Sequence, residues 1–174
     1  MKRQFVAMLV AGLLAACMML LADTRVDYNH STDFSKFRTY SWIKVQASNQ
    51  IWQERVKHDV DAALQSRGWQ QVASGGDAGV TAFGSTKEQK SIQTFYDGLG
   101  GGWGWGGFGG EATTNVVDTP EGTLVVDIFD HQTKKLVWRS VATNSLSGDP
   151  DKNAKKLEKT VEDMFKHFPP KAKG

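Results

Sequence analysis

The stretch Thr123-Leu124-Val125-Val126-Asp127-Ile128-Phe129-Asp130, followed by His131-Gln132-Thr133-Lys134 and then by Lys135-Leu136-Val137-Trp138-Arg139-Ser140-Val141-Ala142-Thr143, decides the fold. Two β-branched and aromatic runs flank a short polar linker, which is the pattern of a β-hairpin. Leu124, Val126 and Ile128 line one face of the first strand. Val125 and Phe129 fall on the other face beside Asp127, which is read as surface-facing and paired with Arg139 across the hairpin. Such strands form a sheet that packs helices on one face.

Two helices supply that cover. Asn49 is an N-cap residue, and Trp52, Val56, Val60, Ala63, Leu64 and Arg67 follow at spacings of three and four. Glu54, Lys57, Asp59 and Asp61 take the opposite face, and Gly68 stops the helix at C′. The second helix opens with Asp149 as cap and Pro150 at N1, where a missing N–H costs nothing. Its stripe is Ala154, Leu157, Val161, Met164, Phe165 and Phe168, and Pro169-Pro170 ends it. Strand-like runs also occupy Val26–Tyr28, Thr39–Ile43, Trp69–Val72, Val80–Thr86, Ser91–Tyr96 and Ala112–Asp118. Between the first two, Phe34 and Phe37 act as aromatic plugs, and Thr119–Gly122 reads as a turn. The predicted class is α+β: an antiparallel or mixed sheet with two helices on one face, preceded by a lipoprotein signal peptide.

The N-terminus carries an address. Met1-Lys2-Arg3-Gln4 is a cationic start, and Phe5–Ala22 is an apolar run of 18 residues. That order is a secretory leader. Within it, Leu14-Ala15-Ala16-Cys17 resembles the lipobox of bacterial lipoproteins, in which the thiol after two small residues takes a diacylglyceryl thioether. Met18-Met19-Leu20-Leu21-Ala22 stays apolar where lipoproteins usually turn polar. Two other readings therefore stand beside lipidation. The run, spanning about 27 Å as a helix, stays as an uncut inner-membrane anchor, or a peptidase cuts after Ala22 and frees a soluble periplasmic domain. The expected division is 1–16 signal peptide, 17–22 apolar linker, 23–170 domain and 171–174 tail. Met18 rather than Asp after the Cys implies, by that resemblance, the outer membrane facing the periplasm.

Charge and chemistry narrow the function. The chain has 21 Lys and Arg against 19 Asp and Glu. Loss of Lys2 and Arg3 with a leader leaves the two signs equal, which disfavours a nucleic-acid partner. One Cys excludes an internal disulfide and a Cys-based cluster. His30, His58, His131 and His167 show no paired ligand spacing, so no metal and no cofactor is expected. Gly79–Lys87 misorders a phosphate loop, and Asp149–Asn153 fails as a calcium loop because Ala154 stands where Gly is required. Gly98–Gly110 is the feature a scaffold does not need: nine Gly with Trp103, Trp105 and Phe108, a candidate interaction loop for glycan rings or a membrane interface.

Three segments carry a family resemblance: Asp33-Phe34-Ser35-Lys36-Phe37-Arg38-Thr39-Tyr40-Ser41-Trp42, the hairpin from Gly122 through Arg139, and the closing Phe168-Pro169-Pro170. With the lipobox they resemble the bacterial family called domain of unknown function 4136, small envelope lipoproteins, over about Asp23 to Pro170. The resemblance implies an α+β fold and an envelope location. It brings no established activity, so no functional residue is carried over. The expectation is a non-enzymatic outer-membrane lipoprotein. It is held in the membrane by its lipid at Cys17 and binds or scaffolds peptidoglycan or other envelope proteins. The alternative is a cell-wall hydrolase using a carboxylate near Asp127 and Asp130.

Overall fold

The structure is a computed structural model that describes residues 23–86 and 121–170. Six strands form one sheet: β1 (Asp23–Tyr28), β2 (Thr39–Gln46), β3 (Gln70–Gln71), β4 (Ala78–Ser85), β5 (Glu121–Asp130) and β6 (Leu136–Ser145). Their spatial order is β1-β6-β5-β4-β2-β3. The sheet is mixed. β1, β6, β5 and β4 pair antiparallel, while β2 runs parallel to both β4 and β3. A parallel pair needs a crossover, and helix α1 (Gln50–Gln65) supplies it. Helix α2 (Pro150–Phe165) follows β6.

Local chemistry sets the ends of both helices. Asn49 accepts from the Trp52 N–H, and Asp149 accepts from those of Asp151 and Lys152. After α1, Gly68 takes the left-handed conformation (φ +83°). The Gly68 N–H donates to Gln65 and the Trp69 N–H donates to Leu64, the paired closure that favours glycine at that position. α2 ends at Phe165, short of Pro169-Pro170, so the prolines follow the stop rather than make it. The hairpin loop His131–Lys134 matches the sequence reading. It closes with Lys134 at φ +58° and its N–H donating to the Asp130 carbonyl. Glu121 and Gly122, read as part of a turn, already belong to β5. Ser91–Tyr96 and Ala112–Asp118 lie outside the described residues.

One apolar core fills the space between the helices and one sheet face. Val56, Val60, Leu64, Val161, Met164 and Phe165 from the helices meet Tyr40, Val80, Val126, Ile128 and Trp138 from the strands. Phe83 and Val125, with Val141 against them, form a second, smaller cluster on the opposite face. At the end of the sheet where the β5–β6 hairpin turns, the core becomes aromatic. Phe168 packs edge-on against Phe34, Trp69, Trp138 and Phe165, with centroids 5.2–5.9 Å apart. Both aromatic plugs expected from sequence, Phe34 and Phe37, are buried there.

Asp77 holds the start of β2 beside that of β4. Its Oδ2 accepts from the Arg38 and Thr39 N–H groups (2.9 Å each) and from Thr39 Oγ1 (2.8 Å). These bonds, led by that from Arg38, hold its carboxyl below the usual range. Just before it, Gly76 lies so close to β2 that a Cβ would meet the Tyr40 carbonyl carbon at 2.6 Å.

Two outcomes follow for stability. Phe168→Ala removes a buried ring with four ring partners and is expected to cost about 3–5 kcal/mol in urea unfolding, far more than truncation of the half-buried Leu146. For Asp77, a depressed native pKa gives stability that is present above the unfolded value and lost as pH falls through the native one. The stability gap between the natural chain and Asp77→Ala should therefore be full at neutral pH and shrink below about pH 4. A gap constant from pH 7 to pH 2.5 would contradict it.

Candidate functional site

The register places many chain ends together. β1 begins opposite the end of β6 (Asp23 faces Thr143), β4 ends opposite the start of β5 (Ser85 faces Thr123), and β2 ends beside β4 (Gln46 faces Phe83). Both helices start from this side, because each follows a strand that ends there. This open end lies away from the aromatic cluster.

Here the core does not close. A cavity of about 180 Å³ enters between the two helices and the sheet. Its walls are apolar: Trp52 and Val56 from α1, Leu124 and Ala142 from the sheet, Leu146 from the β6–α2 link and Leu157 from α2. The rim is polar, and its groups are engaged with one another. Asn144 Nδ2 donates to Thr160 Oγ1 (3.2 Å), which donates to the Lys156 carbonyl (2.7 Å). Asn153 accepts from the Ser147 N–H (2.8 Å) and donates to the Ser147 carbonyl (2.7 Å). Lys156 Nζ donates to the Ser145 carbonyl (2.9 Å). Lys156 is the one charged residue among the described residues lining the cavity.

The two carboxylates singled out by sequence are not brought together. Asp127 pairs in register with Arg139, as expected, but it is not surface-facing. Its side chain is 0% exposed and that of Arg139 is 12% exposed. Arg139 Nε donates to Oδ1 at 2.7 Å and Nη2 to Oδ2 at 2.6 Å, a bidentate fork. The difference arises because the face opposite the helices carries its own apolar cluster, so the pair sits among buried neighbours rather than in water. Asp130 instead accepts from the Gln132 and Thr133 N–H groups, 2.8 Å each, and shapes the hairpin loop. Its register partner Ala78 belongs to the helix-side core, whereas Thr81, opposite Asp127, lies on the other face. Cys17, Trp103, Trp105 and Phe108 lie outside the described residues. His30 packs on Tyr28, and His58 Nδ1 sits 3.1 Å from Asp59. Burial raises the pKa of Asp59, with His58 opposing the shift.

Several working residues were hidden from the pattern. Asp61, assigned to the polar face of α1, accepts from Tyr40 Oη (2.6 Å) and Trp42 Nε1 (2.8 Å) and so ties α1 to β2. Burial first, and this carboxylate second, push the Tyr40 phenol well above its ordinary range. Arg67, counted in the apolar stripe, reaches past it to the carbonyls of Phe165 and Phe168 and caps the end of α2 with a cation. Ser41 and Lys44 have a Ser-x-x-Lys spacing. They lie on strand β2, not on a helix turn that would bring them together. Lys156 gave no signal beyond helix-surface spacing.

A mixed six-stranded sheet with both helices on one face, closed by aromatics at one end and open at the other among the described residues, defines a small two-layered α+β domain. The chain belongs to the family described as Domain of unknown function (DUF4136), which matches residues 24–170. A crystal structure of a DUF4136 family protein from Bacteroides thetaiotaomicron superposes with a TM-score of 0.59 at 17% identity, covering 85% of this chain and 96% of that one. A PDZ domain protein from Parabacteroides distasonis gives a TM-score of 0.58 at 13% identity, covering 88% of this chain and 36% of that one. At these identities the likeness is one of fold. No curated protein matches the sequence. Among the described residues no helix is long and apolar enough to cross a membrane.

The Asp127–Arg139 pair makes a sharp prediction. Asp127→Asn removes one charge of a buried bidentate pair and should cost about 3–5 kcal/mol in chemical unfolding. The double variant Asp127→Leu, Arg139→Met removes both charges and should recover most of that loss. If the double variant is as unstable as the sum of the single ones, the pair is not a coupled unit.

Proposed function

We propose that this protein is a non-enzymatic envelope lipoprotein, tethered through Cys17 to the outer membrane and facing the periplasm. There it binds or scaffolds peptidoglycan or other envelope proteins with its open end. The observation that carries the reading is the start of β1 at that end, beside the cavity. Five residues lie between Cys17 and Asp23, a reach of about 20 Å when extended. A lipid on Cys17 therefore keeps the open end near the bilayer surface and turns the aromatic end outward. β4 ends and β5 begins at the same place, and the sequence between them carries Trp103, Trp105 and Phe108. Indole and phenyl rings suit both the membrane interface and the faces of sugar rings. The engagement of Asp127 with Arg139 and of Asp130 with its own loop supports a binding role over acid–base hydrolysis.

Radioactive palmitate fed to cells producing the full chain should label it, and Cys17→Ser should abolish that label. Persisting label on Cys17→Ser removes the tether from the reading. Replacement of Trp103, Trp105 and Phe108 by Ser should lower binding to liposomes or to purified sacculi while leaving thermal unfolding unchanged. Undiminished binding to both would remove the loop from the interaction surface.

A further inference from the structure

We propose that the cavity at the open end is a binding site for a fatty carboxylate, its hydrocarbon tail inserted between α1, α2 and the sheet and its head group held at Lys156 Nζ. The site does not depend on acylation of Cys17.

Size and lining argue for the tail. A cavity of about 180 Å³ compares with the engineered apolar void of about 150 Å³ that takes up benzene, so it encloses about six to eight carbons. Its inner wall is built from Trp52, Val56, Leu124, Ala142 and Leu157. Water gains little there, because it needs two or more polar partners. The rim groups that would offer them already satisfy one another: Asn144 with Thr160, Thr160 with the Lys156 carbonyl, and Asn153 with Ser147. A hydrocarbon tail removes apolar wall from solvent on entry, at about 25 cal/mol per Å².

Charge argues for the head. Lys156 is the one charged residue among the described residues of the lining, and none of these is a carboxylate. Its ammonium donates once, to the Ser145 carbonyl at 2.9 Å, which fixes it at the rim and leaves further N–H donors. An anionic oxygen is the complement to that group. A neutral tail, such as the chain's own amide- or thioether-linked acyl group, would bring that ammonium no anionic partner. The carboxylate amphiphile is thus the occupant the site fits.

The test uses the full chain in membranes of the cells that make it. The probes are a decanoate bearing a photoreactive diazirine near its tail end and the methyl ester of the same probe. After irradiation, the label is mapped by mass spectrometry. The decanoate probe should mark peptides containing Leu146, Leu157 or Ala142. Ala142→Phe fills the cavity and should cut that label about tenfold. Lys156→Met leaves the core intact and should cut carboxylate labelling about fivefold while sparing the ester. Circular dichroism confirms that each variant is folded. Label scattered over surface peptides, or indifferent to both variants, overturns the site. Equal labelling by acid and ester overturns the head-group assignment. Label that appears only in Cys17→Ser overturns the proposal by giving the cavity to the chain's own lipid.

Discussion

Phe168 is the residue on which this fold turns. It lies beyond the last helix, yet its ring meets Phe34 from the β1–β2 link, Trp69 from the end of α1, Trp138 from β6 and Phe165 from α2. One ring thus joins four segments far apart along the chain. Edge-to-face rings resist sliding, because each positive ring edge must stay over a negative face. Arg67 reinforces the lock with a cation on the terminal carbonyls of α2. The three stretches that carry the family resemblance, around Phe34, Trp138 and Phe168, converge on this cluster. What they encode together is a packing solution, so the stretches that mark the family are ones that hold the fold together.

A domain locked at one end leaves the other end free to vary. The parallel pairing of β2 with β4 forces α1 to start where β2 stops, and the β5–β6 hairpin forces α2 to start where β6 stops. Both helices therefore reach their C-termini at the aromatic cluster and begin at the opposite side. There the core is lined by Leu146, Leu157 and Trp52, all half-buried, instead of interlocking rings. The cavity is a consequence of topology and of where the bulky residues were placed. Small residues at Ala142 and Gly84 keep it open from the sheet side. Core packing at that point is given up, and a site becomes available in exchange for about a side chain's worth of burial.

Much of this architecture was legible because it is local. Asn49, Gly68, Asp149 and Pro150 act within one turn of where they stand, so their cap roles follow from residue type. The hairpin was legible from its alternation and its polar loop. Asp61 was not, because its partners Tyr40 and Trp42 lie 21 and 19 residues earlier on a strand, and helical periodicity scores an Asp as solvent-facing whatever approaches it. Arg67 misled in the opposite sense. Its stem runs along the apolar stripe while its head serves a helix a hundred residues away. The cavity was invisible for a third reason: it is an absence of volume among residues that each look like ordinary core or rim.

The burial of Asp127 shows how a polar residue can serve a strand whose side chains are buried on both faces. Register sets Asp27, Arg139, Asp127, Thr81 and Lys44 in one row across five strands, on the face away from the helices. Side chains alternate between faces along a strand, so a slip of β5 by one residue would turn Asp127 into the helix-side core and bring Val126 and Ile128 out of it. Arg139 cannot follow, because it stays on its own strand and face. The slipped state would bury a carboxylate without its guanidinium, at a cost of several kcal/mol. Val125 and Phe129, apolar on the same face, offer no such discrimination, because a slip exchanges one apolar side chain for another. A strand that is greasy on both sides needs one charged position to fix its register, and in β5 that position is Asp127.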